Sequence, residues 1–336
     1  MKGIIVNQNP AEFVFRVWNE RTLAEAAALI DLDRTVRTRE ALLADPSPAR
    51  DAELLLTTWG MPAFSREEIR AVFPKLRAVL YAAGSVQYFA RPFLEEGIAV
   101  HSAWAANGVP VAEYTVSQIV LANKGFYQAQ AIMRAEGRDA AARYFNGFPG
   151  TYEETKVGLI GVGMIGSMVA QKLHALCDVQ VLAYDPFLSD EKAAALGVQR
   201  VPLETLFSEC QTISNHLANL PQTVGMLHYG LFSRMKPNAA FINTGRGAQI
   251  VEDDLIRALR EEPGRTAVLD VTFPEPPADG SPFYTLPNVF LTPHIAGSAG
   301  IEVVRMSRYM VGELRALLEG QPPKYAVTMK MLETMA

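Results

Sequence analysis

Cysteine is almost absent. With two in 336 residues, Cys177 and Cys210 cannot form a disulfide framework, and their positions match neither metal-ligand spacing nor a redox CxxC. Both are expected as buried free thiols in a reducing cytoplasm. No apolar run is long enough to span a bilayer, so no membrane partner is expected. The Met1-Lys2-Gly3 start leads straight into a strand-like GIIVN, without the apolar stretch and small-residue cleavage site of a signal peptide. Lys and Arg gather into no stripe, and a formal charge of −5 argues against nucleic acid as a partner. Charged residues make up only 20% and hydrophobic ones 49%. That composition can bury a large core, and the length suits two domains.

What is present centres on Lys156 to Asp185. Val157 to Ile160 reads as a strand buried on both sheet faces. It runs into Gly161-Val162-Gly163-Met164-Ile165-Gly166. In such a turn the first glycine permits a tight backbone, the second lets a pyrophosphate approach, and the third lets the next helix pack closely. That helix, with Met168, Val169, Leu173 and Leu176 assigned to its buried face, aims free N–H groups at the phosphates. A second strand, Val179 to Tyr184, ends at Asp185, whose carboxylate suits an adenosine ribose and repels a 2′-phosphate. The stretch therefore predicts binding of NAD(H).

The first hundred residues read as a smaller α/β unit. Strands are expected at Ile4 to Val6, Phe13 to Val17, Glu53 to Thr57 and Leu76 to Ala82. Helices are expected at Thr22 to Leu29 and Ser65 to Phe73, the second opening on a Ser65/Glu68 capping box. Loops following strands, Thr58-Trp59-Gly60 and Ala83 to Tyr88, are candidates for the substrate side of a cleft. A crossover helix from Val111 to Lys124 leads to the second sheet. Its later strands fall at Thr212 to Ser214, Ala240 to Asn243, Ala267 to Val271 and Val289 to Thr292. A last helix, Ala299 to Leu318, is expected with no strand after it and to fold back on the first domain. The predicted fold is α/β: two doubly wound parallel-sheet domains, a flavodoxin-like substrate domain (1–105 and 299–336) and a Rossmann cofactor domain (106–298), with a cleft between them.

Three strand ends carry chemistry. Phe241 to Gly247 puts Arg246 after a strand, where a guanidinium can grip a carboxylate through two parallel hydrogen bonds. Leu269 to Pro276 brings Asp270 and Glu275 to another, and Leu291 to His294 brings an imidazole to a third. If Glu275 meets His294, the carboxylate fixes the ring's tautomer and the pair becomes an acid/base.

The ordered motifs GVGMIG, Lys236 to Gly247 (KPxAxxINxxRG), Asp270 to Pro276 (DVFxxEP) and Thr292 to His294 (TPH) make the chain resemble the D-isomer-specific 2-hydroxyacid dehydrogenases. Val111 to Thr115 is likewise similar to that family's VAEHT. The resemblance covers Pro62 to the end. It implies an NAD-dependent dehydrogenase or 2-oxoacid reductase, of the glyoxylate/hydroxypyruvate reductase kind, working at C2 of a small 2-hydroxy or 2-oxo acid. It implies that Arg246 binds the carboxylate and keto group, that His294 protonates the carbonyl oxygen, and that Glu275 holds His294 protonated. It also gives Asp270 to the nicotinamide carboxamide and the amides of Met164 and Ile165 to the pyrophosphate. Thr244 and His216 fall beside the cofactor, and the backbone at Ala83 and Gly84 at the substrate carboxylate. Trp59 is a candidate substrate neighbour, and a homodimer through the cofactor domains is implied by analogy.

Two stretches depart from the family pattern. Ala82 to Phe89 stands where GxGxDNID is usual. Asn215-His216-Leu217-Ala218-Asn219 replaces the commoner HxPL. Phosphoglycerate is a less expected substrate, because no regulatory domain follows and the first domain shows no phosphate-binding cluster. The contrasting reading is a non-enzymatic NAD(H)-sensing scaffold of the corepressor kind.

Overall fold

The structure, a computed structural model, describes residues 1–144 and 147–333. It divides into two compact units, Met1–Gly108 with Ser298–Ala336, and Val109–Gly297.

In the first unit, β1 (Lys2–Val6), β2 (Asp31–Arg37), β3 (Leu54–Thr57), β4 (Ala78–Tyr81) and β5 (Ala99–Ser102) are parallel neighbours in the order β5-β4-β3-β1-β2. The interior strands β3 and β4 are buried along their whole length, as the apolar runs LLLT and AVLY require of strands covered on both faces. Ile4, Ile5, Leu55, Leu80, Trp18 and Met310 share the core between sheet and helices.

One expected strand fails here, and two observed strands, β2 and β5, were not expected. Phe13 to Val17 is helical, inside Ala11–Val17. Val14 and Val17 are buried three residues apart, so the apolar spacing belongs to a helix rather than a strand. The sheet instead gains β2, whose sequence DLDRTVR gave no strand signal because an edge strand exposes its polar groups. The helix Arg66–Val72 does carry the Ser65/Glu68 capping box.

The second unit holds β6 (Lys156–Ile160), β7 (Gln180–Tyr184), β8 (Val198–Arg200), β9 (Thr212–Asn215), β10 (Ala240–Asn243), β11 (Thr266–Leu269) and β12 (Val289–Leu291). All pair in parallel, in the order β12-β11-β10-β9-β6-β7-β8. The two-residue period of the strands sorts their side chains into two cores. Val157, Leu159 and Ile242 join the helix residues Val169 and Leu173 in one, while Ile160 and Phe241 join Phe207 and Phe232 in the other. Leu176, expected on the buried face of the helix Met164–Leu176, is 66% exposed, because it ends the last turn.

The helix expected from Val111 begins earlier and runs Trp104–Asn123 through Pro110, which costs it one backbone donor without ending it. After the helix Val304–Leu318 the chain does form a strand, contrary to expectation. This β13 (Ala326–Val327) pairs antiparallel with β5 in the first unit. At two residues it is too short to leave a periodic signal.

Candidate active site

The glycine-rich turn is built as its residue types demand. Gly161 has φ +85°, and a Cβ there would lie 2.9 Å from the carbonyl carbon of His216. A Cβ on Gly166 would strike the Gly161 carbonyl, whereas one on Gly163 would meet nothing within 4 Å. Gly163 thus faces open space at the start of the helix Met164–Leu176, which has no side-chain cap, so the amides of Met164 and Ile165 stay available to an anion. Asp185 follows β7, and its carboxylate accepts from the backbone amides of Val162 at 2.7 Å and Phe187 at 2.8 Å. These bonds draw the carboxylate against the turn. The cradle fits a dinucleotide: open backbone at the second glycine, an uncapped helix start, and an acid at the next strand end.

His216 lies under this turn. Its Nε2 is 3.0 Å from Ser214 Oγ and its Nδ1 is buried without a partner. Burial pushes its pKa down to about 4, so the ring is neutral at pH 7. Thr244, after β10, turns its hydroxyl to Thr115 at 3.2 Å.

Asp270 is 2% exposed and organises the segment that carries the imidazole. Its carboxylate accepts from Ile295 N at 2.8 Å, Ala296 N at 2.9 Å and Thr292 Oγ1 at 2.6 Å. Thr292 spends its only proton on Asp270, so the Tyr114 hydroxyl 3.0 Å away donates to Thr292. Bent by these bonds, the chain puts His294 at φ +55°, a left-handed conformation that few residues other than glycine adopt. There His294 Nδ1 lies 2.7 Å from Glu275 Oε1, with the two side chains 48% and 41% exposed. A carboxylate accepts only, so Nδ1 carries the proton and Nε2 is the free face of the ring.

Arg246 belongs to the same unit. Gly247 brings its loop against the loop after β11, since a Cβ there would overlap Thr272. The guanidinium donates from Nη1 to the Gly245 carbonyl at 2.8 Å and ion-pairs with no carboxylate among the described residues. Burial pushes its pKa down, opposed by the negative charge of Glu275. A desolvated cation with unused donors is a place for an anion.

The structure brings Arg246, Glu275 and His294 into one unit, at the ends of β10, β11 and β12. Trp59, Ala83 and Gly84 belong to the other unit. There Trp59 packs against the core, and its carbonyl accepts from Asn7 at 3.0 Å and Asn9 at 2.9 Å. The Ser102 hydroxyl lies 2.9 Å from the Ala83 carbonyl and 2.7 Å from that of Gly84, which fixes the orientation of both peptides. Ser102, Tyr114 and Gln249 are not among the expected site residues, and Asn215 is expected only as part of the loop that departs from the family pattern. Of the two cysteines, Cys210 is buried, its thiol pushed up to about 12, while Cys177 is only half-buried.

Residues 116–296 match the family model described as D-isomer specific 2-hydroxyacid dehydrogenase, NAD binding domain. D-3-phosphoglycerate dehydrogenase of Archaeoglobus fulgidus is 31% identical over 240 residues, 71% of this chain and 44% of the relative. That of Mycobacterium tuberculosis H37Rv is 31% identical over 285 residues, 84% of this chain and 52% of the relative. The chain thus spans about half the length of these curated relatives. Two solved structures share the fold. The NAD-complexed D-isomer specific 2-hydroxyacid dehydrogenase of Lactobacillus delbrueckii ssp. bulgaricus superposes with TM-score 0.77 at 20% identity, covering 98% of this chain and 100% of that one. D-mandelate dehydrogenase of Rhodotorula graminis gives 0.79 at 19%, covering 97% of each.

Proposed function

The chain belongs to the D-isomer specific 2-hydroxyacid dehydrogenase family, and from that membership we propose that it is an NAD-dependent oxidoreductase moving hydride between nicotinamide and C2 of a 2-hydroxy or 2-oxo acid. The observation that carries this reading is the presence in one unit of a carboxylate-held imidazole with a free ring face and a desolvated guanidinium that forms no ion pair among the described residues. When bound, the nicotinamide supplies or accepts the hydride. Gly161, Gly163, Gly166 and the amides of Met164 and Ile165 receive the pyrophosphate, and Asp185 the ribose. His216 and Thr244 would stand beside the cofactor, and Asp270 would hold the nicotinamide carboxamide.

Arg246 grips the carboxylate of the acid and polarises its carbonyl oxygen. In reduction His294 delivers the proton on Nε2 to that oxygen, and Glu275 stabilises the imidazolium until it does so. In oxidation the same nitrogen takes the hydroxyl proton. Backbone amides at Ala83 and Gly84 are assigned to the substrate carboxylate. Their carbonyls being turned to Ser102 supports this, and Trp59 borders the acid's side chain.

A homodimer is part of the proposal. Leu121, Phe126, Met133 and Tyr152 are exposed apolar side chains of the NAD-binding unit that a second copy would cover. Light scattering giving a monomer would overturn it. A cytoplasmic setting is proposed from the free thiols. No described helix is long and apolar enough to cross a membrane.

The test of function is loss of reduced-nicotinamide absorbance across 2-oxo acids from glyoxylate to bulky aromatic acids, with NADPH in parallel. Turnover of one or more with NADH supports the reading. Tight NADH binding with no turnover of any acid overturns it.

A further inference from the structure

The loop after β9 lacks the proline of the commoner HxPL turn and is held by buried side-chain amides. Three side-chain amides, Asn215, Asn243 and Gln249, are each 0% exposed and meet beneath it. Gln249 Nε2 donates to the carbonyls of Leu217 and Ala218, both at 2.9 Å. Gln249 Oε1 accepts from Asn215 Nδ2 at 2.6 Å and from the Arg246 amide at 3.2 Å. Asn215 also donates to Asn243 Oδ1 at 2.9 Å and accepts from the Leu217 amide at 3.3 Å. Asn243 closes the circuit, accepting from the Gly245 amide at 3.0 Å and donating to the Arg246 carbonyl at 3.1 Å.

Every amide group in this cluster has a partner, and only one orientation of each side chain satisfies all of them. A Cβ on Gly245 would sit 2.9 Å from Gln249 Oε1 and 3.0 Å from Asn215 Nδ2, so that glycine leaves the space the cluster occupies. The same loop leans on the glycine-rich turn, where His216 backs Gly161. One side chain, Gln249, thus ties the backbone of Arg246 to the loop that abuts the pyrophosphate cradle.

We propose that Gln249, held by Asn215, is the positioning residue for Arg246, fixing its backbone through a closed set of buried amides. It couples the grip on the substrate carboxylate to the seat of the cofactor. This rests on the function proposed above for Arg246.

The test compares wild type with Gln249→Met, which keeps length and bulk but removes all four hydrogen bonds. Because Met strands several buried partners, an Asn215→Leu/Gln249→Leu variant, which deletes two partners together, serves if the first does not fold. The expected result is a KM for the 2-oxo acid raised about tenfold, kcat lowered about tenfold because Arg246 also polarises the carbonyl, and an unaltered pH profile, since the His294–Glu275 pair is untouched. Oxalate, a non-reacting dicarboxylate, should bind the NADH complex about tenfold more weakly by calorimetry. In an Arg246→Lys background the same change should add less than about twofold, because the two act as a unit.

A lowered melting temperature with KM and oxalate affinity unchanged would overturn the proposal. The NADH dissociation constant keeps this distinct from the function itself. If wild type binds NADH but turns over no acid, the reading of function fails. A Gln249→Met affinity for NADH within about 1.5-fold of wild type would then sink the coupling as well, whereas a weakening of about threefold would uphold it.

Discussion

His294 Nδ1 lies 2.7 Å from Glu275 and His101 Nδ1 lies 2.7 Å from Glu313, so each unit holds the same chemical pair at the same distance. Their surroundings differ. The His294 and Glu275 side chains are 48% and 41% exposed, those of His101 and Glu313 2% and 3%. His101 Nε2 is buried without a partner and has no route for a proton, whereas the corresponding face of His294 is open. Glu313 has a further task, accepting from the amides of Lys324 at 3.0 Å and Tyr325 at 3.1 Å, which fastens the start of β13 to the helix Val304–Leu318. The comparison teaches that a carboxylate at an imidazole fixes a tautomer in either setting. Access to the far nitrogen decides whether the pair does chemistry or holds structure.

His294→Ala should lower kcat of the proposed reduction about a thousandfold with little change in melting temperature. Retained activity would remove the exposed pair from the mechanism. Glu313→Gln should do the reverse, leaving kcat intact and costing about 3 kcal/mol in urea unfolding, because the buried imidazole and two amides lose their anion. A cost below about 0.5 kcal/mol would place the buried pair among contacts that contribute nothing. Glu275→Gln should lower kcat about a hundredfold, less than loss of the acid itself.

The smallest effect concerns His216, a histidine with no carboxylate partner among the described residues. Its folded value of about 4 lies below the ordinary 6.5. Between those values the unfolded chain binds a proton that the folded one refuses, so stability falls as pH drops through that window. His216→Gln should remove roughly 2 kcal/mol of that acid-side loss, measured by unfolding at pH 7 and pH 4.5. Parallel pH curves for the two proteins would contradict it.

The sequence displayed what depends on local pattern. Buried parallel strands announce themselves as short apolar runs, and the glycines, Asp185, Arg246, Glu275 and His294 all follow such runs. What it hid depends on partners distant in the chain. The edge strand β2 looks polar because one side of it meets water, and β13 exists only because β5 and Glu313 receive it. The amide cluster joins residues 215, 243 and 249, and nothing local to any of them marks the others. Asp270 was read as a cofactor ligand, but its three bonds to the His294 segment become visible only when β11 and β12 lie side by side.

The central claim is that of two equal histidine–glutamate contacts only the open one carries proton transfer. It is tested most directly by steady-state reduction of the best 2-oxo acid by wild type, His294→Ala and Glu313→Gln, each first shown folded by circular dichroism. The account predicts turnover lost in His294→Ala and unchanged in Glu313→Gln. Turnover surviving in His294→Ala, or lost in a folded Glu313→Gln protein, would contradict it.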